Sequence, residues 1–248
     1  MYHIKKKIIV FSLVLIFDTS YAQESKSSGV QLAFEHMVNT EVMELGKTYK
    51  NSFGEKFTPR SFKYYVSDIG FEDDSGKIHL VAAECFLVNE AEPESKRIAV
   101  NIPIGKYKKL SFILGVDSSR SVNGVQEGAL DPYHGMFWTW NTGYVGAKLE
   151  GVSPSSKMPQ QLFQYDIGGF RTGQNSLRTI SIPLDSNFNF KSDAKTLVRI
   201  NVNVQNWFDG KHNLKIAQHA FVHTPGELAL QYADNCATMF SLDKLVRY

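Results

Sequence analysis

The chain has 248 residues, 43% of them apolar and 12% aromatic, which suffices for one sizeable buried core and is too balanced for a disordered chain. Its formal net charge is +2, and that excess sits in the first 22 residues, where three lysines face one acidic group, Asp18. The remainder is neutral overall, so a nucleic-acid partner has no electrostatic footing.

At the N-terminus, Lys5, Lys6 and Lys7 precede an apolar run from 8 to 17, followed by Ser20-Tyr21-Ala22. This is the pattern of a secretory signal peptide cleaved after Ala22, with an apolar part too short to span a bilayer. No cysteine follows closely enough to carry a lipid, and no later stretch approaches 18 consecutive apolar residues. The expected organisation is a signal peptide over 1–22 and a single domain over 23–248, periplasmic or extracellular, with no membrane span in the mature chain.

Runs of alternating apolar and polar residues then follow at 30–36, 61–69, 77–88, 97–102, 108–116, 162–167, 176–184 and 197–204. Their period of two predicts strands. The last is the clearest, with Val198, Ile200, Val202 and Val204 on one face and Arg199, Asn201 and Asn203 on the other. Segments 118–135 and 151–160, rich in Gly, Ser and Pro, read as long surface loops. One helix is predicted near the end, where Thr224 stands at the N-cap, Pro225 at the first helical position and Glu227 completes a capping box. Its apolar face is Leu228, Ala229, Tyr232, Ala233 and Cys236. The predicted class is all-β: a β-sandwich, immunoglobulin-like or related, with long loops and one short C-terminal helix.

Chemistry-bearing motifs are sparse. There is no HExxH or HxH pair, no GxSxG and no glycine-rich phosphate loop, so the reading is of a protein that is not an enzyme. His36 continues the row Leu32, Phe34, His36 and therefore faces the core, where an imidazole is either a hydrogen-bonded core residue or a ligand or base. Trp138 and Trp140 stand two apart in GMFWTWNTGYVGAKLEG, and their rings suit core packing, stacking on a sugar, or redox and metal chemistry. Asp117, Asn123, Glu127 and Asp131 offer oxygen ligands, but their spacing is not that of a calcium loop, and Asx-turns explain them without calcium. Cys85 and Cys236 are the two cysteines; in an oxidising compartment they are candidates for one long-loop disulfide, the alternative being two separate buried thiols.

Taken in order, LAFEH, FKYYVSDI, IPIGKYKKLSFILGVDS, GALDPYHGMFWTWNTGYVGAKLEG, FQYDIGGF and ADNCATMF resemble the MbnP-like proteins, over about 30–240. These are secreted copper-binding proteins found beside methanobactin operons, with further members in Bacteroidetes-type bacteria. The resemblance implies a β-sandwich-like periplasmic or surface protein in which histidines hold copper and a tryptophan oxidised to kynurenine contributes to the site. It also implies a dihaem partner enzyme of the cytochrome c peroxidase kind. His36 matches the family histidine of the first strand, and Trp138 or Trp140 lies in the motif that supplies the modified ring. Many relatives carry a histidine before two glycines, where this chain has Tyr165-Asp166-Ile167-Gly168-Gly169. Asp166 is a hard ligand that disfavours Cu(I) and suits zinc or Cu(II) better, and His134 is a candidate to substitute for the missing imidazole. The competing reading is a β-sandwich module that grips a glycan or a protein through Trp138 and Trp140 without metal.

Overall fold

The eight alternating runs all form strands, because alternation gives each one an apolar face to bury and a polar face to leave in water. The computed structural model describes residues 27–139, 142–185, 188–192 and 194–248; the expected signal peptide and Trp140 lie outside them. In chain order the elements are β1 (Ser27–Val38), β2 (Glu41–Val42), β3 (Tyr49–Lys50), β4 (Lys56–Asp73), β5 (Ile78–Asn89), β6 (Arg97–Pro103) and β7 (Gly105–Leu114). A short helix α1 (Ser118–Val122) precedes β8 (Phe137–Thr139), β9 (Gly143–Val152), β10 (Leu162–Gly168), β11 (Arg178–Pro183), β12 (Asn189–Phe190) and β13 (Thr196–Asn203). The chain ends with β14 (Phe221–Val222), helix α2 (Glu227–Ala237) and β15 (Phe240–Arg247).

These strands build an all-β sandwich of two sheets. The smaller runs β15-β13-β1-β2, with β6 also on β1; the larger runs β11-β7-β4-β9-β10-β14, with β3 and β5 on β4, β8 on β9 and β12 on β7. Two of the pairings, β1 with β13 and β10 with β14, are parallel. Leu32, Phe34, Val198, Ile200 and Val202 of the smaller sheet meet Phe62, Tyr64, Phe71 and Phe112 of the larger one in the main core. Edge-to-face rings join the layers, Phe34 lying 6.1 Å from Tyr64 and 6.0 Å from Phe112.

The larger sheet is also covered on its outer face. Tyr65, Val116, Leu130, Met136, Tyr144 and Val145 form a second apolar cluster there. The segment 118–135 is therefore a folded cover rather than a plain surface loop: it contains α1 and two 3-10 turns and buries Ser121 and Leu130. Asp117 and Asp131 serve these turns, whereas Glu127 makes no side-chain cap. Asp117 caps α1 by accepting from the Arg120 amide, and Asp131 caps the second 3-10 turn by accepting from the Tyr133 amide.

Two expectations need correction. The C-terminal helix begins at Glu227 with Gly226 as its N-cap, so Thr224 and Pro225 lie before it and no side chain caps it. The reason is that Val222 still pairs with Tyr165 of β10, so the chain needs the next residues to leave the sheet before it can turn helical. Pro225 packs over Gly169 instead, where an added Cβ would come 3.0 Å from the proline ring. The expected buried face does form from Ala229, Tyr232, Ala233 and Cys236, with Leu228 at its edge and Tyr232 stacked on Tyr165 at 4.6 Å. The disulfide is the second correction, since Cys85 and Cys236 are both free. Cys236 lies in the main core, whereas Cys85 packs with the outer cluster, so the larger sheet stands between them.

Candidate functional site

On β9 and β10 the alternation sends Ala147, Leu149, Phe163, Tyr165 and Ile167 into the main core. It leaves Lys148, Glu150, Gln164 and Asp166 on the outer face, where antiparallel register sets Lys148 opposite Asp166 and Glu150 opposite Gln164. Strand β14 then runs parallel to β10, with Phe221 beside Gln164 and Val222 beside Tyr165. That register delivers the next residue, His223, to Asp166. The His223 Nδ1 lies 2.5 Å from Asp166 Oδ2, and the Gln164 amide nitrogen donates to the same oxygen at 2.8 Å.

Asp166 is fully buried, a state a carboxylate tolerates only when its charge is compensated. Lys148 supplies the compensation, with Nζ 2.9 Å from Asp166 Oδ1 and 2.9 Å from Glu150 Oε1. Burial opposes the charge on Lys148, but the contacts with Glu150 and Asp166 outweigh it and raise its pKa. The contact with Oδ1 is an ion pair without hydrogen-bond geometry, which leaves this oxygen short of a hydrogen bond.

Trp138 completes the site. Its strand β8 pairs with β9, and its ring meets His223 edge to face at 5.7 Å. The indole lies against Gly168, where any Cβ would come 2.9 Å from Trp138 Cζ3 and 2.4 Å from the Tyr144 carbonyl. The first glycine of the IGG segment is thus the space the indole occupies. The Trp138 Nε1 is buried and has no hydrogen-bond partner among the described residues. His223 itself remains partly open, its side chain 42% exposed and stacked on Phe221 at 5.8 Å.

Of the residues singled out in the sequence, Trp138 and Asp166 are brought together and His36 is not. His36 lies between the sheets, 99% buried, with Nδ1 2.6 Å from Glu90 Oε2 and Nε2 2.9 Å from the Tyr64 hydroxyl. Lys96 reaches the same Glu90 oxygen at 2.9 Å. Both ring nitrogens are engaged, and burial pushes the His36 pKa down, so this is a hydrogen-bonded core histidine. His134 is likewise apart: its Nε2 donates to the Gly128 carbonyl at 3.1 Å, and its own carbonyl accepts from Lys63 on β4. No three His, Cys, Asp or Glu side chains among the described residues converge as a metal-binding group.

His223 and Lys148 carry the site and were not singled out for it in the sequence. Asp166 and His223 are 57 positions apart, and only the parallel pairing of β14 with β10 joins them. The one sequence signal was the unusual aspartate before the two glycines.

A family model described as MbnP matches residues 27–226. The chain belongs to the MbnP family. The solved structure of MbnP from Methylosinus trichosporium aligns with a TM-score of 0.57 over 90% of this chain and 99% of that one, at 13% identity. At that identity the likeness speaks for a shared MbnP fold. No curated protein sequence matches. Trp138 and Asp166 thus share the outer face of the larger sheet through His223, and the first-strand histidine is on the other side of that sheet.

Proposed function

We propose that this MbnP-family protein is a secreted, non-enzymatic metal-binding protein of the copper type, with its ion taken at His223 beside Trp138 and Asp166. The observation that carries the reading is a partly open imidazole wedged between a buried carboxylate and an indole whose N–H has no partner. The half-exposed imidazole is the group open to a ligand, and the indole lies edge-on beside it. The imidazole is a borderline donor that suits Cu(II) or Zn(II), and the neighbouring Asp166 carboxylate is already held by Lys148 and Gln164. A bound copper ion would supply a redox-active centre next to an electron-rich ring.

In this reading Trp138 is the ring converted to kynurenine, and the partner that oxidises it is a dihaem enzyme of the cytochrome c peroxidase kind. The half-open edge of the site, at His223 and Phe221, is where such a partner gains access. A glycan-gripping module has less support, because Trp138 is packed against Gly168 instead of standing as an open platform.

The test is metal analysis of protein expressed with and without added copper, followed by titration with Cu(II), Cu(I) and Zn(II). Binding at micromolar concentration or tighter that is lost in Trp138→Ala or His223→Ala is the expected outcome; no metal in any condition overturns the reading. Protein isolated from its native host should show the tryptophan-to-kynurenine mass gain on the peptide containing Trp138. An unmodified peptide there would rule out that part.

A further inference from the structure

We infer that the outer face of the smaller sheet carries a saccharide site: a groove over Gly29 in which a pyranose ring lies among Gln31, Asn101, Lys195 and Tyr248. It is independent of the metal-binding reading and uses none of the residues around His223.

Register makes the groove. On the smaller sheet Val30, Val100 and Thr196 point inward and are buried, so their neighbours in sequence point out. Gly29 stands opposite Asn101 of β6, while Gln31 has Ala99 of β6 on one side and Leu197 of β13 on the other. Thr196 is beside Val30, which puts Lys195 beside Gly29. Lys195 and Tyr248 exchange both backbone hydrogen bonds, at 3.0 and 2.9 Å, so they also face each other. Asn101, Gly29, Lys195 and Tyr248 thus form one row across four neighbouring chain segments. Gly29 is the gap in that row. Without a side chain there, Asn101 and Lys195 flank a strip two strand spacings, about 10 Å, wide. An added Cβ at Gly29 would meet only Lys195 Cγ, at 3.7 Å. The small side chain of Ala99 continues the floor, and the result is an open cavity of about 270 Å³.

The chemistry of the walls selects the ligand. The amides of Gln31 and Asn101 each offer an acceptor oxygen and a donor nitrogen, which complement hydroxyl groups that donate and accept at once. Neither amide has a side-chain hydrogen bond among the described residues, and Lys195 has no ion pair among them. Tyr248 is 62% exposed and lines the same cavity, so its ring is free to pack on the C–H face of a sugar while its hydroxyl stays in water. An apolar ligand would leave the two amides and the ammonium unpaired, at a cost. A cation is disfavoured as well, because no acidic side chain among the described residues lines the cavity and Lys195 does. A neutral saccharide meets all of these groups. Gly29, Gln31, Ala99 and Asn101 all stand on paired strands, so most of the groove is formed before a ligand arrives.

The deciding experiment is a titration of purified ¹⁵N-labelled protein with maltose, lactose and mannobiose, with glycerol as the control polyol. At least one disaccharide should move the amide signals of Gly29, Gln31, Ala99 and Asn101 saturably, and glycerol should not. Tyr248→Ala should weaken that binding about 2–10-fold, the size of one ring contact. Gly29→Leu fills the groove and should abolish it. Asn101→Ala removes an exposed amide, leaves the sheet intact and should weaken binding too, so the test holds even where Gly29→Leu fails to fold. Melting temperatures of Tyr248→Ala and Asn101→Ala should match the wild type, which separates loss of contact from loss of structure. No saturable shift with any of the three sugars overturns the inference. So do shifts that map away from these strands, equal shifts with glycerol, or unaltered affinity in both Tyr248→Ala and Asn101→Ala.

Discussion

His36 shows how a single buried side chain ties the stability of this sandwich to pH. Burial lowers its pKa from the usual 6.5, so the folded protein resists a proton that the unfolded chain accepts. Burial pushes Glu90 up, but its hydrogen bonds with His36 and Lys96 outweigh this and hold its pKa below the ordinary value. Both shifts have the same sign. The stabilisation is complete above about pH 6.5 and is lost as pH falls, first through His36 and then through Glu90. Thermal melts from pH 8 to 4 should therefore show a declining midpoint below about pH 6.5, and His36→Gln should flatten the upper part of that decline. The same variant should cost about 1–3 kcal/mol at pH 7.5 in urea titrations, since it disturbs the contacts of Glu90 and the Tyr64 hydroxyl. Gly168 is the second residue whose chemistry is decided by its neighbours. Gly168→Ala places a methyl into the Tyr144 carbonyl and the Trp138 ring, and should destabilise by about 1–3 kcal/mol while shifting tryptophan emission as the indole is displaced.

At the scale of elements, α2 is held to the sandwich by more than its apolar stripe. Asn235, fully buried, donates to the Trp207 and His212 carbonyls and accepts from the His212 amide, so it ties the helix to the segment that follows β13. Asn235→Ala removes three hydrogen bonds and leaves buried backbone groups unpaired, for an expected loss on the order of 2–3 kcal/mol, read as a lower urea midpoint at unchanged slope. The stripe Ala229, Tyr232, Ala233 and Cys236 was legible from its helical period, whereas Asn235 was not, because polarity in a sequence carries no sign of burial. Strand β9 escaped the period-of-two reading for a related reason. Its first five residues, Gly143 to Ala147, are all buried, so apolar and small residues run together without alternation. Its glycines have their own purpose: at Gly151 an added Cβ would meet the Thr58 carbonyl at 2.2 Å.

For the whole molecule, the two-sheet arrangement settles what the cysteines do. The larger sheet separates Cys85 from Cys236, so the fold is closed by packing and strand pairing and not by a covalent bridge between them. The melting temperature should be indifferent to a thiol reductant, and alkylation should label Cys236 only under unfolding conditions. Cys85, its thiol pushed up to about 11 by burial, should react slowly at neutral pH. A drop in melting temperature on reduction, or a mass two hydrogens short, would show a bridge after all. The same separation of faces divides the histidines: His36 serves the interior and His223 the outer site.

The sequence by itself determined the class of fold, the main strands and which of their faces are buried, since a period of two and its apolar face are local properties. It also marked the pair Trp138 and Trp140, and the resemblance to the MbnP-like proteins singled out Asp166. Only the tertiary structure decided that Trp138 and Asp166 meet on the outer face of the larger sheet, that His223 joins them and that His36 does not. The physical reason is register. The alternation within a strand tells which side a residue faces, but the pairing of β14 with β10 and of β8 with β9 chooses its neighbours, and those pairings depend on contacts between segments far apart in the chain.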